Sequence, residues 1–282
     1  MVGESIICFN GVFVPAGTPV LSCLDGGFLY GQGLFETLKV KDGMVLELKG
    51  HLSRLEASGA ELRLPLAFGK DEMAQMVQQT VRRNGVNLGV VRITATSGPQ
   101  GGSPALLIQT RPFPYQASHY TRGFRAGLSR YVRNPHSPLV RHKTINYWEN
   151  IMARREAAQE GLDEAIFLNT RGYLAEGSVS NIFFVLGDTV ITPPVETGLL
   201  GGMARANILD ICSHLGLKAQ EKNIHPGEMS LYQECFITNS LLGVMPVIGI
   251  HMGSGNVCRF LQRKVTNIIR AKYEAYEAGA GV

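Results

Sequence analysis

The sequence predicts a mixed α/β protein of the α+β type with two domains. Its 282 residues exceed the usual length of a single domain. Hydrophobic residues make up 45% of the chain and charged residues 18%, proportions that are typical of a folded protein. A stretch with two prolines, RPFPYQASHY, interrupts the regular pattern from Arg111 to Tyr120. We therefore expect an N-terminal α+β domain at residues 1–115 and a larger domain at residues 116–282.

The first domain is predicted to combine a small paired sheet with two helices. A hairpin of SIICF and VFV turns at Asn10-Gly11, and Asp42-Gly43 turns TLKVK back into MVLEL. Apolar residues recur at spacings of three and four in HLSRLEASGAELRL and KDEMAQMVQQTVRR, which indicates two helices. GVVRITAT and PALLIQ have the apolar runs of strands.

Short strands dominate the second domain. We predict strands in FRAGLSR, EAIFLN, YLA, NIFFVLG, TVITP, KAQEK, ECFITN and GVMPVIGI. Helices are predicted in NIMARREAAQEG, in MARANILDICSHLG and in CRFLQRKVTNIIRAKYEAYEA. Many short strands with few helices predict a closed or nearly closed, barrel-like sheet with helices outside it.

Composition and charge indicate a cytoplasmic enzyme or binding protein for small molecules. The net charge is only +4 and the basic residues are scattered, so we expect no nucleic-acid partner and no membrane partner. Arginine outnumbers lysine, which favours anionic small molecules. The five cysteines form no metal-binding spacing, and we expect no metal. The N-terminus shows no basic-then-apolar leader, which favours a cytoplasmic location.

One lysine lies in a suggestive setting. Lys143 of RHKTINYWEN precedes Tyr147 by four residues, so a helix beginning at Lys143 would place both side chains on one face. A buried lysine of lowered pKa can form a Schiff base with a carbonyl cofactor. A nearby tyrosine can hydrogen-bond the phenolic oxygen of such a cofactor. The alternative interpretation is a solvated lysine beside a core tyrosine.

Three further features carry possible cofactor contacts. In AEGSVSN, Glu176 is a carboxylate at a strand end, which suits either a polar turn or a partner for a ring nitrogen. In LLGGMARANIL two glycines lead into a helix, so the amides of Met203 and Ala204 could bind a phosphate or simply begin a helix. A phosphate also needs a cation, which Arg54 of HLSRL could supply; otherwise Arg54 is a solvated helix residue.

Taken in order, these motifs resemble a known family. HLSRL, HKTINY, AEGSVSN, LLGGMAR and ITNSLLGVMPV together are similar to the fold-type IV pyridoxal phosphate enzymes, the class IV aminotransferase family. The resemblance extends over nearly the whole chain, from LDGGFLYGQGLFET to GVMPV. It implies a cofactor, pyridoxal 5'-phosphate, and a homodimer. It also implies a small N-terminal α+β domain and a larger cofactor-binding domain built around a barrel-like sheet.

The resemblance assigns a role to each motif residue. Lys143 would be the catalytic lysine that holds the cofactor as a Schiff base and later acts as general base. Glu176 would pair with the pyridine nitrogen and keep it protonated, so that the ring accepts electrons. The remaining cofactor contacts implied by the family are Arg54, Tyr147, Asn181, Met203, Ala204 and Ser240.

Two stretches favour one activity within the family. GLFETLKV, which contains Thr37, and TNSLLGVMPV resemble the aminodeoxychorismate lyases, which convert 4-amino-4-deoxychorismate to p-aminobenzoate and pyruvate for folate biosynthesis. The substrate would be a small anionic amine with two carboxylates, for which Arg92 is a candidate partner and Tyr30 and Thr37 are candidate pocket residues. The alternatives are an aminotransferase acting on branched-chain or other amino acids, and a non-catalytic homologue that binds the cofactor.

The sequence also departs from the family pattern. The usual DRGFxYGDG reads DGGFLYGQG here, so that a glycine replaces the arginine and Gln32 replaces the second aspartate. Ser97 stands where D-amino acid enzymes carry a carboxylate-binding arginine, which counts against a D-amino acid transaminase. The segment PQGGSP replaces the GRGY-like continuation of some lyases.

Overall fold

The computed structural model describes residues 5–253 and 255–279. These residues form two compact units, which we call unit 1 and unit 2. Unit 1 contains residues 5–114 and the short stretch 142–146, and unit 2 contains residues 115–141 and the described residues from 147 onwards. Unit 1 is thus built from two separate stretches of chain. The division into continuous domains at residues 1–115 and 116–282 stays a prediction.

Unit 1 is a six-stranded antiparallel sheet with three helices. Its strands lie in the order β2-β1-β6-β5-β3-β4. They are β1 Ile6–Phe9, β2 Val12–Pro15, β3 Gly33–Lys41, β4 Met44–Val45, β5 Gly89–Thr96 and β6 Ala105–Pro112. The helices are α1 Gly26–Tyr30, α2 Leu48–Glu61 and α3 Lys70–Arg83. The predicted hairpins, helices and strands of this region are all present.

Buried and partly exposed residues alternate along the second half of strand β3, because one face of the sheet lies in the core of unit 1. Leu34, Leu38 and Val40 are buried on one face, where they pack with Leu52 and Leu55 of α2. The opposite face carries the odd-numbered residues of β3, because successive side chains of a strand point to opposite sides. One sheet face is therefore covered by helices, and the other carries two of the candidate substrate residues, Thr37 and Arg92.

Unit 2 is a nine-stranded mixed sheet that curls into a half-barrel. Its strands are β7 Phe124–Arg133, β8 Glu164–Asn169, β9 Leu174–Gly177, β10 Asn181–Leu186, β11 Thr189–Thr192, β12 Lys218–Glu221, β13 Glu234–Asn239, β14 Gly243–His251 and β15 Val257–Arg259. Its helices are α4 Ala117–Arg122, α5 Trp148–Gln159, α6 Met203–His214 and α7 Lys264–Glu277, with three short 3-10 turns at Pro138–Arg141, Val195–Thr197 and Pro226–Leu231. The prediction of a barrel-like sheet is confirmed, although the sheet is a half-barrel whose strand order from β12 to β9 does not close.

Strand β10 shows how unit 2 buries both faces of its sheet. Ile182 and Phe184 belong to one apolar cluster, while Phe183 belongs to a second cluster formed with helices α6 and α7. Phe183 stacks on Phe236 of the neighbouring strand β13, with ring centroids 4.9 Å apart. A strand buried on both sides reads as a continuous apolar run, as NIFFVL does.

The C-terminal helix is shorter than predicted. The apolar pattern predicts a helix from Cys258, but residues Val257–Arg259 form strand β15, in which Cys258 pairs with Ile250 of β14. The helix begins only at Lys264. The edge of β14 offers backbone hydrogen bonds there, and these bonds override the local helical pattern. Within residues 5–253 and 255–279, no helix is both long enough and apolar enough to cross a membrane.

Candidate active site

Lys143 lies in an extended segment that pairs with the start of strand β3. The Phe35 amide donates to the Lys143 carbonyl at 2.8 Å, and the Ile145 amide donates to the Gly33 carbonyl at 3.0 Å. The idea of a helix beginning at Lys143 is therefore wrong, because its backbone groups serve this pairing and α5 begins at Trp148. Lys143 belongs to unit 1 and Tyr147 to unit 2.

The Lys143 side chain is half-buried, and its amine lies over an aromatic ring. The Lys143 Nζ is 4.6 Å from the centroid of the Phe35 ring. Arg92 Cζ lies 3.7 Å from the same centroid. Arg92 and Thr37 are direct partners in the β3–β5 register, so they share this sheet face. Unit 1 thus brings together four groups: an amine, a guanidinium, a hydroxyl and a phenyl ring.

Tyr30, the third candidate substrate residue, lies at the end of helix α1 and is 72% exposed. It stands outside strands β3 and β5, which carry Thr37 and Arg92. Its role as a pocket residue therefore stays a prediction.

Arg54 is held on the helix-covered side of unit 1 by a buried carboxylate. Glu36 accepts hydrogen bonds from Arg54 Nε at 2.8 Å, from Arg54 Nη2 at 2.7 Å and from His51 Nδ1 at 2.6 Å. Burial opposes the ionisation of Glu36, but the bonds from His51 and Arg54 outweigh it and lower the pKa of Glu36 to about 2. A fixed negative charge therefore orients the guanidinium.

In unit 2, Glu176 is a buried carboxylate next to a buried arginine. Arg133 Nε lies 3.3 Å from Glu176 Oε1, and Glu176 Oε2 accepts the Leu200 amide at 3.0 Å. Arg133 also stacks on the Phe167 ring, 3.9 Å from its centroid. An adjacent cation favours the ionised form of a carboxylate, so the surroundings of Glu176 suit a charged partner for a ring nitrogen.

The Tyr147 hydroxyl donates a hydrogen bond to a backbone carbonyl of unit 2. The acceptor is the Ser178 carbonyl, at 3.0 Å. Burial is the main cause that raises the pKa of Tyr147, and the charges of Glu176 and Glu164 raise it further. The hydroxyl oxygen still has acceptor capacity, but its one proton is directed to Ser178. The predicted contact of Tyr147 with a cofactor phenolic oxygen stays a prediction.

Helix α6 begins with a glycine, as the motif LLGGMAR predicts. Its N-cap is Gly202, and no side chain caps the helix. Asn181 donates to the Leu200 carbonyl at 2.9 Å, and a Cβ added at Gly202 would overlap Asn181 Oδ1. A side chain at this position would therefore displace the Asn181 amide group. The first-turn amides of Met203 and Ala204 are not used by the helix itself and suit an anion.

Ser240 lies in the tight turn between β13 and β14. Asn239 Oδ1 accepts from the amides of Leu241 and Leu242, both at 2.9 Å, and so closes this turn. Asn239 Nδ2 donates to the Val179 carbonyl at 2.9 Å. The turn that carries Ser240 is thereby joined to the loop between Glu176 and Asn181.

Within unit 2, the structure therefore connects four of the predicted positions through short hydrogen-bonded paths: Tyr147, Glu176, Asn181 and Ser240. Sequence reasoning missed the supporting residues. Glu36 and His51 belong to the group that holds Arg54 in unit 1. In unit 2, Arg133 lies beside Glu176, and Asn239 closes the turn that carries Ser240. Glu36 could have been found, because a carboxylate in the middle of an apolar strand needs a buried partner. Arg133 gave no local signal, since it lies far from Glu176 along the chain.

The fold is that of a class of enzymes that use pyridoxal phosphate. Residues 33–250 match the family model of the amino-transferases of class IV, so the chain belongs to this family. Its members include pyridoxal phosphate-dependent aminotransferases and a lyase.

Two relatives show the range of activities. A Methanocaldococcus jannaschii protein assigned to the branched-chain amino acid aminotransferases is 30% identical over 86% of this chain and 87% of its own length. The aminodeoxychorismate lyase of Bacillus subtilis is 29% identical over 95% of this chain and 97% of its own length. Overall identity therefore does not distinguish a transaminase from a lyase.

Solved structures of proteins named for these two activities have the same fold as this chain. The branched-chain aminotransferase of Thermoproteus uzoniensis with norvaline has a TM-score of 0.89 at 29% identity, covering 98% of this chain and 96% of that one. A Legionella pneumophila protein assigned to the 4-amino-4-deoxychorismate lyases has a TM-score of 0.84 at 26% identity and covers 92% and 96% of the two chains.

Proposed function

We propose that this protein is a pyridoxal phosphate-dependent lyase that converts 4-amino-4-deoxychorismate to p-aminobenzoate and pyruvate. The observation that carries the proposal is the face of unit 1 beside Lys143. Phe35 lies against both the Lys143 amine and the Arg92 guanidinium, and Thr37 is the register partner of Arg92. This face combines an amine for the cofactor with a hydroxyl and a cation for an anionic substrate.

The residues fit the cofactor by their chemistry. Pyridoxal phosphate needs an amine for its aldehyde, a carboxylate for its ring nitrogen and donors for its phosphate. Lys143 supplies a half-buried amine, and Glu176 supplies a buried carboxylate with Arg133 beside it. Helix α6 has a glycine N-cap, and a Cβ built at Gly201 would meet nothing within 4 Å, so backbone can approach a phosphate closely there.

We assign the remaining contacts by the same chemistry. Arg54 and the amides of Met203 and Ala204 would bind the phosphate, since a helix terminus alone carries only about half a charge. Ser240 would add a hydroxyl donor. Tyr147 would border the cofactor phenolic oxygen, and Asn181 would hold the Leu200 carbonyl and so the entry to α6.

Lys143 and the substrate residues would then divide the work. The bound cofactor supplies an electron sink for the carbon that carries the substrate amine. Lys143 Nζ would take the proton from C4 of the substrate, and the electron pair left behind would form a C3–C4 double bond while the bond between C3 and the ether oxygen breaks. The leaving group, enolpyruvate with that oxygen, would gain a proton on carbon to become pyruvate, and the ring would become aromatic. Arg92 would bind a substrate carboxylate, with Thr37 and Tyr30 bordering the substrate.

The charge of the sheet face supports a substrate with two carboxylates. Lys39 and Arg111 are both register partners of Val90, so they share the face that carries Arg92. Three cations on one face suit a dicarboxylate better than a monocarboxylate amino acid. This comparison favours the chorismate-derived amine over a branched-chain amino acid.

A class IV aminotransferase acting on branched-chain or other amino acids is the second candidate. The similarity to proteins named branched-chain aminotransferases, at 29–30% identity, favours it. A homologue that binds the cofactor without turnover is the third candidate, and the joint presence of Lys143, Glu176 and Arg54 argues against it.

One assay separates these candidates. The purified protein, loaded with pyridoxal phosphate, is incubated with 4-amino-4-deoxychorismate in the absence of any keto acid. We expect p-aminobenzoate and pyruvate in equal amounts, and neither product with a Lys143→Ala control. Transfer of an amino group to 2-oxoglutarate without p-aminobenzoate release would identify a transaminase instead.

We also propose that the protein is a cytoplasmic homodimer. Leu24, just before helix α1, and Phe28 within it are each more than 60% exposed, which is typical of a surface that a partner covers. The chain has a mass of 30.7 kDa, and sedimentation velocity would show one species of twice that mass. A single species at the monomer mass would contradict the dimer.

A further inference from the structure

A second buried carboxylate lies behind the predicted cofactor residues of unit 2. Glu164, the first residue of strand β8, is 1% exposed. Its Oε1 accepts from the Ala165 amide at 2.9 Å, the Ser178 amide at 3.1 Å and the Ser178 hydroxyl at 2.5 Å. Its Oε2 accepts the Ser180 hydroxyl at 2.8 Å. Four donors match an ionised carboxylate, which can only accept.

These bonds hold the loop that joins strand β9 to strand β10. Ser178 and Ser180 are themselves buried. Gly177 precedes Ser178, and a Cβ added there would overlap Ser180 Oγ and would lie 3.1 Å from the Glu164 carboxyl group. The loop therefore packs onto the Glu164 carboxylate without room for a side chain at Gly177.

The loop in turn fixes two predicted cofactor residues. The Ser178 carbonyl accepts the Tyr147 hydroxyl at 3.0 Å and the Asn150 amide group at 2.6 Å. Glu176 lies two residues before Ser178, near the end of strand β9. A displacement of Ser178 would therefore move both the acceptor of Tyr147 and the backbone that carries the Glu176 carboxylate.

We propose that Glu164 is a positioning residue for Tyr147 and Glu176, acting through Ser178 and Ser180. This inference rests on the proposed function, in which Tyr147 and Glu176 contact the cofactor. Glu164 acts by geometry, because it holds the loop, and by charge, because it adds a second negative group near Tyr147. Glutamine keeps the shape of this side chain but replaces one acceptor oxygen with an NH2 donor, which would face a serine hydroxyl that now donates to Glu164.

The first test uses the cofactor-free protein and hydrogen–deuterium exchange. The variants are Glu164→Gln, Ser180→Ala and the control Glu160→Gln, which removes an exposed carboxylate just beyond helix α5. We expect the peptide that covers residues 174–183 to exchange roughly 10-fold faster in Glu164→Gln, with a smaller change in Ser180→Ala and none in the control. Wild-type exchange in Glu164→Gln would overturn the proposal.

The second test separates positioning from a purely structural role. In the loaded enzyme we expect Glu164→Gln to lower kcat by roughly 10-fold with KM changed less than about twofold. The pH midpoint of the visible cofactor band should fall by about 0.5 units or more, since loss of a nearby negative charge disfavours protonated forms. Faster exchange with an unchanged midpoint and unchanged kcat would overturn the proposal.

Two outcomes keep this inference distinct from the proposed function. If Glu164→Gln does not fold, Ser180→Ala removes only the Oε2 bond and must show the same shifts at smaller size, or the proposal fails. A wild-type protein without a cofactor band would refute the proposed function and with it the positioning role. The exchange data would then show only that Glu164 holds the loop.

Discussion

The carboxylate of Glu36 and the guanidinium of Arg54 form a two-bond ion pair that joins strand β3 to helix α2. The bonds are 2.8 Å to Nε and 2.7 Å to Nη2, and Glu36 is 1% exposed. A parallel pair of bonds fixes the plane of a guanidinium as well as its position. The pair therefore presets the orientation of the arginine that we assign to the cofactor phosphate.

Replacing Glu36 should destabilise the protein. Glu36→Gln removes the charge and leaves Arg54 and His51 facing a neutral amide, so we expect the free energy of unfolding at pH 7 to fall by about 3 kcal/mol. Urea denaturation followed by circular dichroism measures the change. The control is Glu56→Gln, which changes an exposed residue of helix α2, the helix that carries Arg54 and His51. This control should change the free energy of unfolding by less than about 0.5 kcal/mol. Equal effects of the two substitutions would contradict a structural role for the buried pair.

The same pair predicts how stability depends on pH. The folded-state pKa of Glu36 is about 2, below its ordinary value of 4.5, so the unfolded chain takes up this proton first as the pH falls. The contribution of Glu36 is complete above pH 4.5 and is lost as the pH falls towards 2. The stability difference between wild type and Glu36→Gln should therefore shrink between about pH 5 and pH 3 by roughly half or more. A difference that stays constant over this range would show that Glu36 does not titrate as described.

Two neighbouring glycines allow a matched test at the start of helix α6. Gly202→Ala would place a Cβ against Asn181 Oδ1, whereas Gly201→Ala meets nothing within 4 Å. We expect Gly202→Ala to lower the free energy of unfolding by about 1–3 kcal/mol, as overpacking does, and to weaken phosphate binding. Gly201→Ala should leave stability within about 0.5 kcal/mol of wild type. Differential scanning calorimetry measures the stability of both variants. A larger loss of stability in Gly201→Ala than in Gly202→Ala would refute this account.

The role of Lys143 has a direct covalent test. Borohydride reduction of the loaded protein should fix the cofactor irreversibly on the peptide that contains Lys143. Denaturation of the reduced protein should then release no cofactor. Lys143→Ala should trap no cofactor there while it keeps a wild-type circular dichroism spectrum. Lys39→Ala, which removes another lysine of the same unit, is the control and should still trap it. Trapping that persists in Lys143→Ala would rule out this lysine as the attachment point.

Much of the fold was predictable because the local pattern and the tertiary structure agree. EAIFLN and NIFFVL are apolar runs buried on both faces, and each forms a strand at the predicted place. The segment around Cys258 was not predictable, because pairing with β14 replaced the helix that its pattern favours. Local periodicity carries no information about which sheet edge is available nearby.

The candidate site shows a similar division. Lys143 and Glu176 stand out because an amine or a carboxylate at an element boundary suggests chemistry. The residues that orient them do not, since Arg133 and Glu164 are recognisable only when the strands that carry them have been paired with their neighbours. Local sequence thus points to reactive groups more readily than to the groups that hold them in place.

The five residues 142–146 have a practical consequence for anyone who cuts or recombines this chain. They complete unit 1 through backbone bonds to Gly33 and Phe35, although they are encoded in the middle of unit 2. A fragment that ends at Pro114 would leave these two positions without their partners and would lack the lysine. A chimera that exchanges the N-terminal unit with that of a relative must therefore also transplant this pentapeptide, or it will pair one parent's strand with the other parent's lysine.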